Sequence, residues 1–112
     1  SARYKQAVAD LDGALGLQAA QALRPVSFEW RGSGEADLGF IAEEVAQLDP
    51  RLVVRNDRGE IEGVKYDRLS VVLALAVQQL ASAQGADNAR IARLEARIDA
   101  LIDRMGALEH GR

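Results

Sequence analysis

From Ile91 onward the apolar residues stand at Ile91, Leu94, Ile98, Leu101, Met105 and Leu108, in alternating steps of three and four that draw one narrow stripe along a helix. No other feature of the chain constrains its fold so tightly. These are a and d positions of a heptad seam, and the register runs backwards unbroken through Gln84 and Asp87, then Val77 and Leu80, then Leu73. The spacing predicts a single helix about 60 Å long at about 1.5 Å per residue. So narrow a stripe on so long a helix must lie against copies of itself or against another domain.

The flanking charges favour copies. Arg90, Arg97 and Arg104 take g positions, and Glu95 and Glu109 take e positions, so that Arg90 can pair with Glu95 and Arg104 with Glu109 between parallel neighbours. Isoleucine at a with leucine at d leans towards two strands, whereas Ile102 at an e position widens the apolar face towards three. Gln84 and Asp87 are polar at the seam with Gly85 between them, a looser junction that also fixes register.

A chain of 112 residues has room for one small domain and a stalk, not for two full cores. Its formal charge is −3 with no block of lysine or arginine, so nucleic acid is not an expected partner. No run of eighteen apolar residues and no leader pattern is present, and no membrane association is expected. Cysteine is absent and His110 is the one histidine, which removes disulfides and thiolate metal sites; no metal or cofactor is expected. The aromatics Tyr4, Phe28, Trp30, Phe40 and Tyr66 place the globular core in the first two-thirds of the chain.

In chain order, Val8, Leu11, Leu15 and Leu17 predict a short helix, weakened at Gly13 and Gly16. A further turn or two over Gln18 to Leu23 ends before Pro25. Val26 to Arg31 alternates as a strand with one buried face, and Gly32, Ser33 and Gly34 form a loop. Asp37 stands where a dinucleotide fingerprint needs its third glycine, which argues against phosphate binding. Leu38 to Ile41 reads as a second strand, and Ala42 to Leu48 as a short helix closed by Asp49 and Pro50. Glu43 and Glu44 in its first turn suit the helix dipole better than acid-base roles. Leu52 to Arg55 and Glu60 to Lys65 flank Asn56-Asp57-Arg58-Gly59 as a hairpin. Asp67 then reads as N-cap of the long helix, whose Leu69, Val72, Leu73, Ala76, Val77 and Leu80 give a face wide enough for both sheet and seam.

Four stretches taken together resemble one family: Ser1, Arg3 and Lys5; Arg24-Pro25-Val26-Ser27-Phe28-Glu29-Trp30; Leu38-Gly39-Phe40-Ile41-Ala42-Glu43-Glu44-Val45 leading to Pro50; and Gly63-Val64-Lys65-Tyr66-Asp67-Arg68-Leu69. In order and spacing they are similar to the C-terminal intramolecular chaperone, or S74 peptidase, domain of bacteriophage tail spikes and tail fibres. The resemblance implies a homotrimer that helps the β-rich fibre upstream in the same polypeptide to intertwine and then cuts itself off before a serine. It implies Ser1 as nucleophile and Lys5 as base of a serine-lysine dyad, an autocatalytic single-turnover endopeptidase, with this chain as the released product. It further implies the host bacterial cytoplasm during virion assembly as the place of action, and absence from the mature fibre. The alternative is a non-proteolytic trimerisation or adaptor domain that stays attached.

Physical chemistry supports part of this. Serine needs a neighbouring base, lysine serves only when burial or nearby positive charge lowers its pKa, and arginine stays protonated. Among fourteen basic residues only Lys5 and Lys65 are lysines; Arg3 could depress Lys5 or orient the scissile carbonyl. The family's start reads serine, aspartate, any residue, arginine, any residue, lysine, whereas Ser1-Ala2-Arg3-Tyr4-Lys5 is one residue shorter and lacks the aspartate. If Arg3 and Lys5 keep their family places, Ser1 stands in the aspartate's place and the nucleophile lies just upstream.

The expected fold is therefore α+β. A small mixed domain over residues 1–66, with short helices and a small antiparallel sheet including a β-hairpin, precedes a long helix over residues 67–112. The first part of that helix covers the core, and from about residue 83 it forms a parallel trimeric coiled-coil stalk through Val77, Leu80, Gln84, Ile91, Leu94, Ile98, Leu101, Met105 and Leu108.

Overall fold

The computed structural model describes residues 1–110, with side chains described through residue 106. The expected α+β fold is what forms: short helices and two small antiparallel sheets, then one long helix. Two compact units are distinguished, Ser1–Gln79 and a second beginning at Leu80.

The chain opens with a 3₁₀ turn at Ala2–Tyr4 and runs irregularly to a second one at Gly13–Leu15. The helix expected from Val8, Leu11 and Leu15 is not there. Ala7 adopts φ +53, outside the helical basin, and the Asp12 carboxylate accepts the Ala14 N–H at 3.0 Å, closing a local turn instead of continuing a helix. Val8 is left exposed. Helix α1, Leu17–Ala22, follows and ends before Pro25 as expected.

Strands β1, Val26–Glu29, and β2, Ala36–Gly39, pair antiparallel with Phe28 opposite Asp37 and Val26 opposite Gly39. Gly32 and Gly34 take positive φ in the connecting loop, which side chains rarely adopt. The second strand lies slightly earlier than the apolar run suggested, and Leu38 projects into solvent beside Ser27. Helix α2, Ala42–Leu48, ends at Asp49 and Pro50. The Asp49 carboxylate then accepts the Arg51 N–H at 2.8 Å and caps a 3₁₀ turn over Pro50–Leu52.

Strands β3, Val53–Arg55, and β4, Ile61–Val64, form the expected hairpin, with a bulge between Val54 and Arg55. Its turn is built by Asn56, whose Oδ1 accepts the N–H groups of Arg58 and Glu60, both at 2.9 Å. Gly59 supplies the positive φ that the turn requires.

Helix α3, Tyr66–His110, begins one residue before the expected cap. The Lys65 carbonyl accepts the N–H groups of Arg68 and Leu69, and Asp67 sits exposed within the first turn, where its charge suits the dipole. Leu69, Val72 and Ala76, at helical spacing, are buried. With Ala19, Val45, Leu52 and Val53 they make the core, flanked by Leu23, Phe40, Leu48, Ile61 and Val64. Among the described residues Val45 is sealed almost completely, at 1% exposed. An eighteen-residue window within Tyr66–Gly106 reaches a mean hydropathy of 1.4, enough by length and composition to cross a membrane. The lack of an unbroken apolar run did not suggest this; in the same helix Leu69, Val72 and Ala76 spend their apolar surface on the core.

Candidate functional site

Ser1 and Lys5, the expected nucleophile and base, bracket the first 3₁₀ turn. The Ser1 carbonyl accepts the Tyr4 N–H and the Ala2 carbonyl accepts the Lys5 N–H, both at 3.1 Å. Arg3 lies 5.0 Å from the centroid of the Tyr4 ring, a cation–π contact. All residues of this turn are exposed, and no side-chain hydrogen bond joins Ser1 to Lys5 among the described residues. A lysine acting as base needs an environment that disfavours its charge, and the chain by itself does not enclose Lys5.

The segment that follows is anchored from α3. Gln79 Oε1 accepts the Leu17 N–H at 2.7 Å, and Gln79 Nε2 donates to the Gly13 carbonyl at 3.0 Å. Gly16 lies under the same side chain, where an added Cβ would stand 2.7 Å from Leu75 Cγ and 2.8 Å from Gln79 Cδ. No pattern in the sequence marks Gln79, because its partners are 62 and 66 residues away.

Two of the stretches that carry the family resemblance are tied to each other. Arg24 donates from Nε to Glu44 Oε1 at 3.1 Å and from Nη2 to Glu44 Oε2 at 2.6 Å, a two-pronged pair between the end of α1 and the first turn of α2. These hydrogen bonds hold the Glu44 carboxyl below its usual range. Glu44 thus serves the fold, in line with its reading as a structural carboxylate. Gly39 has an equally local reason: a Cβ there would come within 2.5 Å of the Tyr66 hydroxyl, which accepts the Phe40 N–H at 3.3 Å. Tyr66 closes the start of α3 onto the Gly39-Phe40 corner, with its ring 6.2 Å from that of Phe40.

The residues expected to form the seam lie exposed on the single chain. Val77, Leu80, Ile91, Leu94, Ile98, Leu101 and Met105 are each 47–66% exposed, with Gln84 and Ile102 exposed beside them. Between Leu80 and Met105 the chain buries none of its own residues. Arg90, Arg97 and Glu95 are exposed and make no ion pair with another described residue. The side chains of Leu108 and Glu109, and that of His110, lie outside the described residues.

Residues 1–54 match the model of the Peptidase S74 family, described as chaperone of endosialidase. The match runs from the first 3₁₀ turn through α2 into β3 and stops short of α3. No curated protein matches the chain. Over residues 1–54 the resemblance to the intramolecular chaperone domain of phage fibre proteins is borne out.

Proposed function

We propose that this chain, chaperone-like in its first half, acts as a homotrimer that brings three copies of an upstream β-rich fibre into register and is then released by self-cleavage. The observation that carries the trimer is the stretch from Leu80 to Met105, which displays an a/d stripe and shields none of it. Burying a leucine or isoleucine side chain is worth about 1.5–3 kcal/mol, and a helix of this amphipathic kind is marginal without a surface to pack on. Arg90 and Arg97 at g positions and Glu95 at an e position remain available for pairing between parallel neighbours. Three tails held side by side raise the effective concentration of the attached fibre strands, so that slow non-local β pairing starts in register.

Sedimentation equilibrium tests this: a trimer is expected at micromolar concentration, and Ile98→Asp, which would gather three carboxylates at the axis, should leave monomers with residues 1–79 still folded. A monomeric unmodified chain, or an Ile98→Asp variant that still associates, removes the proposal. A dimer would keep the seam and discard the third strand.

For release, Lys5 is the base and Ser1, or the residue just ahead of it, the nucleophile. The supports are the family match over residues 1–54 and the presence of only two lysines in the chain. Because one chain leaves Lys5 exposed, the enclosure that a basic lysine needs would come from neighbouring subunits or from the uncut upstream segment. Cleavage afterwards makes assembly irreversible, since the module that lowered the barrier is no longer attached. The setting is the host bacterial cytoplasm during phage assembly. A longer polypeptide carrying fibre residues should release a C-terminal fragment cut beside Ser1, and Lys5→Ala should remain whole; full processing of Lys5→Ala refutes the dyad. The exposed Lys5, without a bond to Ser1, favours as second reading a trimerising adaptor that never cuts, and an uncut wild-type polypeptide would establish it.

A further inference from the structure

Between the two hairpins lies a cavity of about 360 Å³ that neither the seam nor the N-terminal turn uses. Its lining includes the aromatic residues Phe28, Trp30 and Tyr66 and the acidic residues Asp37, Glu43 and Glu62, and no lysine or arginine among the described residues. Trp30 and Tyr66 are each 53% exposed, so ring surface is open to an incoming group. The Phe28 and Trp30 rings meet edge to face with centroids 4.9 Å apart, which holds the indole in place. Asp37 is fixed as well: its Oδ2 accepts the Trp30 indole N–H at 3.1 Å and its Oδ1 the Leu38 N–H at 2.8 Å. Glu43 and Glu62 have no cationic partner among the described residues.

We propose that this cavity binds a guanidinium or ammonium side chain presented by the fibre polypeptide, an arginine above all. Ring faces attract cations, arginine stacks on them through its planar fork, and three acidic lining residues with no basic one beside them among the described residues give the site one sign. An anionic ligand would meet only negative charge here. A neutral saccharide could stack on the rings and donate hydroxyls to the carboxylates, but it would leave their charge unpaired. The occupant's identity as fibre polypeptide rests on the proposed chaperone role, whereas the cavity's preference for a cation does not.

Trp30 is the only tryptophan, so its fluorescence reports occupancy directly. The chain is titrated with N-acetyl-arginine amide, with the citrulline analogue that keeps the shape and lacks the charge, and with methyl glucoside. Saturable quenching or shift with the arginine probe alone is expected. Glu43→Gln and Glu62→Gln, both at exposed positions, should each weaken it by on the order of threefold, more so at low salt. An equal response to citrulline, a response to the glucoside alone, or no response to any probe overturns the proposal. Loss of this binding would leave trimerisation and release standing, and a monomeric chain that still discriminates arginine from citrulline would keep the site while removing the trimer.

Discussion

Gln79 fastens the segment ahead of α1 to α3, and the strength of that fastening can be worked out bond by bond. Gln79→Ala strands the Leu17 N–H and the Gly13 carbonyl, now bonded at 2.7 and 3.0 Å; at about 1 kcal/mol per bond the loss is about 2 kcal/mol. Gly16→Ala forces a methyl against Gln79 Oε1 and Cδ and against Leu75 Cγ, an overpacking that costs about 1–3 kcal/mol. The two changes share atoms. With Gln79 already cut back, only Leu75 Cγ remains in the way, so Gly16→Ala should cost about 1 kcal/mol less in that background. Urea denaturation followed by circular dichroism and Trp30 emission measures all four proteins, held at one concentration because an associating chain's stability depends on it. If the two costs add to within about 0.3 kcal/mol, Gln79 does not occupy the space over Gly16 and the clamp is wrong.

Gly39→Ala should destabilise by about 1–3 kcal/mol, since its Cβ would press on the Tyr66 hydroxyl. Tyr66→Phe should recover part of this, and a Gly39→Ala loss that is the same with and without the hydroxyl would refute the contact. Acid should weaken the fold. Glu44 lies below its ordinary 4.5 through hydrogen bonds from the Arg24 side chain. Asp49 lies below its ordinary 3.8 through the Arg51 side chain and then the Arg51 N–H, and Asp37 below 3.8 through the Leu38 N–H and then the Trp30 indole. Folded carboxyls that hold protons less readily than unfolded ones contribute stability that is complete above the unfolded values and is lost as pH falls through the folded ones. Urea midpoints should therefore stay level from about pH 7 to 5 and decline below about pH 4, and the decline should be smaller in Glu44→Gln. A midpoint unchanged at about pH 2.5 would contradict these assignments.

Much of the fold was legible where local chemistry and periodicity agree. Asn56 to Gly59 specified a turn because an asparagine carbonyl that can accept two nearby N–H groups, followed by a residue free to take positive φ, leaves few other conformations. The helix at Ala42–Leu48 was bounded by Pro50, and the continuity of α3 by its unbroken heptad phase. The N-terminal stretch misled because Val8, Leu11 and Leu15 are spaced like one face of a helix, while Ala7 and Asp12 settle the backbone into turns. Its periodicity had no buried partner to serve. Neither Arg24–Glu44 nor Gln79 could be read ahead of the structure, since each depends on which distant backbone arrives beside it. The candidate site divides the same way: the spacing of Val77 to Met105 declared an apolar stripe, which the single chain leaves exposed, whereas the surroundings Lys5 needs are not written in its neighbours along the chain.

The absence of any self-shielded residue from Leu80 to Met105 makes dilution act as a solvent stress on this part of the chain. In the proposed trimer the ratio of assembled to free subunits follows the square of free subunit concentration, so a tenfold fall in free subunit shifts it by about a hundredfold. On that proposal, three fibres growing on neighbouring ribosomes of one message would meet the requirement at once and stray chains far apart would not, and the bare helix would gauge how crowded its own siblings are.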